Sequence, residues 1–302
     1  MNKFRKESVL GVGYAGPAFL IWGLSPLYWK VLRAVPAFEI IMHRVIWSFL
    51  FLLAFILIRR SWKEFTASLK NWRILLILLV TTLLVVGNWL LYIWAVNHDH
   101  VLQASLGYYI NPLVNVLLGV LFLKERLRPL QVLAVVIAAS SVCLLTLHYG
   151  EFPWIALTLG FSFGFYGLIR KVAPVSPLVG LSIETLILFL PALGYITYLD
   201  IIGTGSFLRV SITIDLFLVG SALVTALPLL LFNLAARRLH LSTVGFMQYI
   251  APSCMFLLAV FLFREPFTMA QVWTFILIWL ALAFYSVDSV LYYRRFNGNL
   301  KE

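Results

Sequence analysis

The sequence predicts an all-α integral membrane protein: ten transmembrane helices arranged as two inverted five-helix repeats. Three observations carry that expectation, namely the composition, the length of the apolar runs and a self-similarity at a fixed offset. Of 302 residues, 62% are hydrophobic and only 12% charged, with a mean hydropathy of +0.97. A chain of this kind has too little polar surface to dissolve in water. A hydrocarbon core about 30 Å thick takes roughly 20 apolar residues per helix, so ten helices consume about two thirds of the chain and leave short loops.

The first run, Ser8–Trp29, follows a basic start like that of a signal peptide, but it continues too far and lacks a small-residue cleavage site. It is therefore expected to stay as a helix. Four more runs, Ile40–Ile58, Ile74–Val96, Leu102–Leu123 and Leu130–Leu147, complete a first set of five. The second set is Pro153–Ile169, Leu178–Leu199, Ile212–Ala235, Leu241–Phe263 and Met269–Tyr292. Each run is about twice the length of a membrane-barrel strand and apolar nearly all round, which selects helices over strands. The two expected repeats are thus residues 8–147 and 153–292.

Laying Ala95–Gln131 over Ala235–Gln271, an ungapped offset of 140, gives ten identities in 37 positions, including His100/His240, Tyr109/Tyr249, Pro112/Pro252 and Glu125/Glu265. Shared apolar bias alone gives about three or four, so a duplication is the better reading. Because five is odd, the second copy starts on the opposite side of the membrane. The basic residues agree. With the amino terminus in the cytoplasm, inner segments hold 18 of the 23 Lys and Arg, outer segments hold Lys30, Arg33, Arg209 and Arg264, and Arg44 lies within the second run. Cytoplasmic loops retain Lys and Arg, so both termini are expected to be cytoplasmic.

The net charge of +11 does not imply nucleic acid, because the basic residues sit between apolar blocks rather than along one face. Cys143 and Cys254 fall inside apolar runs, where a thiol is a small packing group. No P-loop, HExxH or GxSxG pattern occurs. No enzyme activity, cofactor or metal is therefore expected, and the His98-Asp99-His100 cluster is read as a solvated turn.

Inverted repeats are a feature of secondary transporters, whose sites lie at the bilayer midplane beside interrupted helices. Pro112 and Pro252, at equivalent places, remove backbone N–H groups and crowd the carbonyls of Tyr108 and Gln248. Near them Tyr108, Asn111 and Asn115 share one helix face, as do Asn88 and Tyr92. Polar groups in a span face the bundle interior, where they either line a cavity or hydrogen-bond between helices. Arg44 and Glu184 interrupt apolar spans at positions equivalent under the offset and form a candidate pair, whether as a structural bridge or as a substrate or proton site. The expected substrate-binding set is Arg44, Glu184, Asn88, Tyr92, Tyr108, Asn111, Gln248 and Tyr249. Glu184, His43 and Glu39 are candidates for proton coupling, although Glu39 and His43 at the outer end of their span also fit a pair that merely faces water. Trp22, Trp47 and Trp89 are candidates for stacking on substrate or for packing, and Gly160, Gly164 and Gly167 for close helix contact.

The segments FLIWGLSPLYWK (Phe19–Lys30), EIIMHRVIWSF (Glu39–Phe49), GNWLLYIWAVN (Gly87–Asn97), QASLGYYINPLVNVLLG (Gln103–Gly119), FYGLIRK (Phe165–Lys171), IETL (Ile183–Leu186) and LSTVGFMQYIAPS (Leu241–Ser253) together resemble the RarD family of EamA-type permeases in the drug/metabolite transporter superfamily. That resemblance spans nearly the whole chain and is weakest around Asp200–Ser211. It implies ten helices in two EamA repeats, a multi-pass location in a bacterial inner membrane, and export or exchange of a small polar or amphipathic metabolite or drug by alternating access. The expected partners are a small-molecule substrate and the lipid bilayer, with the chain acting as a monomer or homodimer. Two other classes compete: a membrane enzyme acting on lipid-linked substrates, which needs a polar cluster at an interface, and a receptor or scaffold without a substrate-sized cavity.

Overall fold

The computed structural model describes residues 3–98, 100–150, 152–264 and 268–298. Among the described residues it is an all-helical membrane protein with ten helices long and apolar enough to cross a bilayer. In chain order the elements are α1 (Lys3–Val31), α2 (Ala37–Ile58), α3 (Trp62–Lys70), α4 (Trp72–Asn97), α5 (Val101–Leu123), α6 (Pro129–Tyr149), α7 (Trp154–Val172), α8 (Pro177–Ile201), α9 (Ile212–Ala236), α10 (Leu241–Gln248), α11 (Ile250–Leu257) and α12 (Met269–Gly298). Ten spans are an even number, so both chain ends lie on one face.

The ends of these helices follow local chemistry. Asn71, Ser176 and Ser211 accept hydrogen bonds from the first turns of α4, α8 and α9, which satisfies N–H groups that have no helical partner. Pro177 and Pro129 stand in the first turns of their helices, where the missing N–H costs nothing. Two features depart from the sequence expectation. The segment expected to be a cytoplasmic loop contains α3, a short amphipathic helix whose Phe65 and Leu69 join Ile56, Leu78 and Val179 in a small core. The ninth span is also broken. It runs as α10, a turn at Tyr249, α11 and then a π-helical turn over Leu258–Leu262 in which Phe263 N–H donates to the Leu258 carbonyl at 2.9 Å. Pro252 cannot donate to Gln248, and the helix gives way there. Its expected mate behaves differently, because α5 passes through Pro112 unbroken.

Helix packing pairs α1 with α9, α4 with α7, α5 with α7 and α1 with α11; α2 packs on α8, α6 on α12 and α5 on α10. Small residues set the closest approaches. A Cβ on Gly164 would stand 2.6 Å from Val114, and one on Gly245 would stand 2.6 Å from the Pro112 carbonyl, so α7 and α10 both press onto α5 through glycine.

On the face that carries the chain ends the bundle is closed by polar contacts. Lys171 Nζ donates to the carbonyls of Ala236, at 2.6 Å, and Leu239. Arg237 donates to those of Val175 and Ala173. Glu125, just beyond α5, accepts from the N–H groups of Leu241 and Ser242 and from the Ser242 hydroxyl at 2.5, 3.0 and 2.7 Å. It thereby caps the N-terminus of α10, a favourable place for negative charge. Burial raises the carboxyl pKa, but the donors from His240, Ser242 and Leu241 overcome that and draw it from 4.5 down to about 2. A depressed carboxylate stabilises the fold above its unfolded pKa, and that contribution is lost as pH falls towards the folded value. Glu125→Gln should therefore melt at lower temperature than the parent chain near neutral pH in detergent, and the gap should shrink between about pH 4.5 and about pH 2. Thermal melts of both proteins across that range check this; a gap independent of pH contradicts it.

Candidate functional site

A cavity of about 550 Å³ runs from the middle of the bundle towards the face opposite the chain ends. Lys30, at the end of α1, and Ala37, at the start of α2, line its exposed mouth. Its floor is aromatic. Trp22 and Phe163 meet edge to face at 5.8 Å, and both lean on the buried Phe232 at 5.9 and 5.3 Å. Size and a mostly apolar lining with a few polar groups are the marks of a small-molecule site.

Arg44, from the second turn of α2, enters this cavity. Its Nε donates to Thr225 Oγ1 on α9 at 2.8 Å. The guanidinium lies 4.8 Å from the ring centres of both Trp29 and Trp89, a cation–π clamp that fixes its plane. Neither terminal nitrogen hydrogen-bonds to a described residue. Of the other expected residues, Asn88, Tyr92, Tyr108, Asn111 and Gln248 also line the cavity. Tyr92 and Tyr108 pack edge to face at 5.9 Å. Asn88 has a second task, since its Nδ2 donates to the Leu159 carbonyl and Ser162 Oγ on α7 at 2.8 and 2.9 Å. Gln248 Oε1 accepts from Asn115 at 2.8 Å across the α5–α10 contact, while Asn111 Oδ1 is buried without a hydrogen-bond partner among the described residues. Pro252 lines the cavity and Pro112 does not.

Four expected site residues lie elsewhere. Glu184 is not on the cavity and does not pair with Arg44. It is 2% exposed and accepts from Thr81 at 2.5 Å and Tyr166 at 3.4 Å, with Arg170 Nε at 3.5 Å. Arg44 and Glu184 share only a separate void of about 20 Å³. Arg170, assigned by the charge count to an inner segment, lies in the last turn of α7 and is 2% exposed. It lies against the backbone of Gly180, where a Cβ would stand 2.1 Å from Nη1. Glycine four residues before Glu184 makes the room. Tyr249, one residue beyond Gln248 and so about 100° further round the helix, points away from the cavity; its hydroxyl donates to the Tyr109 carbonyl at 3.1 Å. Glu39 and His43 do not face water but are 1% and 2% exposed. Glu39 accepts from the Ser206 backbone N–H and hydroxyl at 2.6 and 2.9 Å, and His43 packs on Phe207.

The cavity also holds residues the sequence reading did not select: Trp29, Lys30, Phe163 and Thr225. Lys30 caps the ring of Phe263 at 3.7 Å, although by position it reads as a loop cation. Trp22 and Trp89 line the cavity and Trp47 does not. Gly160, Gly164 and Gly167 serve close packing, against Ile110, Val114 and Phe232. His98 and His100 stack on Trp94, Asp99 lies outside the described residues, and no metal-binding cluster occurs among the described residues.

Residues 9–147 match the EamA-like transporter family. An "Uncharacterized transporter" of Vibrio cholerae is 47% identical over 96% of each chain. "Protein RarD" of Escherichia coli K12 is 44% identical over 96% of this chain and 98% of its own. "Chloramphenicol-sensitive protein RarD" of Pseudomonas aeruginosa is 29% identical over 94% of this chain and 96% of its own. A solved crystal structure superposes with a TM-score of 0.71 at 20% identity, covering 97% of this chain and 99% of that one, and so shares the fold.

The buried pair yields a direct test. Removing one partner of a buried ion pair leaves the other charge uncompensated and costs about 3–5 kcal/mol, whereas removing both costs less. Glu184→Gln and Arg170→Gln should each lower the melting temperature in detergent, and the double variant should melt above either single variant. Additive losses in the double variant contradict the pairing.

Proposed function

This chain belongs to the EamA-like transporter family, alongside the RarD proteins of the drug/metabolite transporter superfamily, and we propose that it is a secondary transporter working by alternating access. It exports or exchanges a small polar or amphipathic metabolite or drug across a bacterial inner membrane. Both termini face the cytoplasm, and the chain acts as a monomer or homodimer with no cofactor and no catalytic step. The observation that carries the reading is a half-channel: a substrate-sized cavity open on the face opposite the chain ends, with the other face closed by Lys171, Arg237 and Glu125. In the proposed orientation this is the outward-open form. Export requires the opposite form, in which these closing contacts part and the mouth between α1, α2 and α5 shuts.

An inverted repeat supplies a way to reach that form, because exchanging the conformations of two related halves reverses the opening. The packing scheme supports it: under the offset of 140, α1–α9 becomes α7–α4, α5–α7 becomes α11–α1, and α2–α8, α6–α12 and α5–α10 map onto themselves. Equivalent residues Lys124 and Arg264 both adopt left-handed backbone, at φ 54° and 53°. Arg44, Asn88, Tyr92, Tyr108, Asn111 and Gln248 are the proposed substrate contacts. Glu184, off the cavity yet linked to α4 through Thr81 and to α7 through Tyr166, is the first candidate for proton coupling, and the buried Glu39–His43 pair, 3.9 Å apart, is the second.

A thermal-shift screen of purified protein against amino acids, nucleosides, sugars and antibiotics should find a stabilising ligand. That ligand should then show counterflow in proteoliposomes. Glu184→Gln should retain counterflow and lose accumulation driven by a pH gradient. Ligands that bind without counterflow overturn the transporter reading, and unchanged gradient-driven uptake by Glu184→Gln removes the coupling role. For topology, single cysteines at Lys124 and Arg264 should react with an impermeant maleimide from opposite sides of the membrane; reaction from one side rules out the inverted repeat.

A further inference from the structure

The cavity is unusual in its charge. Arg44 and Lys30 both line it, and no Asp or Glu does among the described residues. Lys30 is met by the face of Phe263, and Arg44 by two tryptophans and a threonine hydroxyl. These partners hold the cations in place without neutralising them. Of the buried carboxylates off the cavity, Glu184 has its own cation in Arg170 and Glu39 is held by the Ser206 N–H and hydroxyl. A positive charge within the bilayer that has no counter-charge is costly, and here it faces the space a ligand would fill.

The arrangement of Arg44 is specific. With Nε engaged by Thr225 and the plane held between Trp29 and Trp89, the two terminal nitrogens are the donors left open. Two parallel N–H donors in a fixed plane match the two oxygens of a carboxylate. Around this fork the surface is largely aromatic, with Trp22, Trp89, Tyr92, Tyr108 and Phe163 all lining the cavity. The volume of about 550 Å³ accommodates a ligand of one or two rings.

We propose that the cavity binds an amphipathic organic anion, with a carboxylate on the terminal nitrogens of Arg44 and an aromatic body against the tryptophan and tyrosine faces. Lys30 at the mouth draws the anion in. This deepens the transporter reading, and treating the anion as cargo rests on that reading; its binding does not.

An isosteric series separates the two claims. Calorimetric titration of purified protein should show 3-phenylpropionate binding at least tenfold more tightly than 3-phenyl-1-propanol or 3-phenylpropylamine. Arg44→Gln should weaken the anion at least tenfold, and Arg44→Lys, which keeps the charge and loses the fork, should fall between. Lys30→Gln should slow association a few-fold, and more at low salt. Should Arg44→Gln not fold, Arg44→Lys and Lys30→Gln carry the test. Equal or tighter binding of the alcohol or amine, anion affinity unchanged in both Arg44 variants, or no binding of 3-phenylpropionate overturns the proposal and leaves the transporter reading standing. Arg44-dependent binding of 3-phenylpropionate without its counterflow in proteoliposomes upholds the anion site and overturns the transporter reading.

Discussion

Hydrocarbon supplies no hydrogen bonds, so every charge carried into the bundle has to be met by protein or turned towards water. The molecule uses both solutions, and they lie side by side. Glu184 is met by Arg170, Thr81 and Tyr166, and Tyr166 in turn accepts from Asn233 at 3.0 Å. This network ties α4, α7, α8 and α9 together with its charge neutralised. Arg44 is given only a hydroxyl and two aromatic faces, and its remaining donors are left to the cavity. The first arrangement holds the Glu184 carboxylate inside a closed network and the second keeps a site available.

The same economy shapes the two faces. Towards the chain ends, basic side chains are spent on backbone carbonyls at helix ends: Lys171 on Ala236 and Leu239, Arg237 on Val175 and Ala173. Each such contact joins the end of one helix to the end of another, beside buried apolar residues such as Leu239, Ala173 and Val175. On the opposite face Lys30 rests on an aromatic ring and the cavity stays accessible. The broken ninth span lies against the cavity through Gln248, Ala251 and Pro252. A helix already interrupted at Tyr249 bends there with little further loss of hydrogen bonding, which suits an element that has to shift between two forms.

Much of this was legible in the sequence because the bilayer imposes so strong a pattern. Ten runs of the required length became ten spans, and Arg44, Asn88, Tyr92, Tyr108, Asn111 and Gln248 lie around one cavity because polar groups within spans have nowhere else to go. What was not legible depended on rotation and on long-range partners. Tyr249 differs from Gln248 by one residue and so by rather more than a quadrant, about 100°. Arg170 has the sequence context of a loop cation, and only the space over Gly180 reveals that it turns inwards. The helix α3 is too short for a search based on spans. Matched prolines did not give matched breaks: α5 runs unbroken through Pro112, whereas the ninth span is interrupted at Tyr249.

The central claim is that the cavity holding Arg44 is reached by water from the face opposite the chain ends, while the Glu184 network is sealed from it. The direct measurement uses a chain with Cys143 and Cys254 replaced by alanine and single cysteines in place of Tyr108, on the cavity, or Thr81, against Glu184. Intact cells are treated with an impermeant methanethiosulfonate. Rapid modification of Tyr108→Cys with protection of Thr81→Cys is the predicted result. Equal rates at the two positions, or modification of Tyr108→Cys only after the cells are opened, contradict the account.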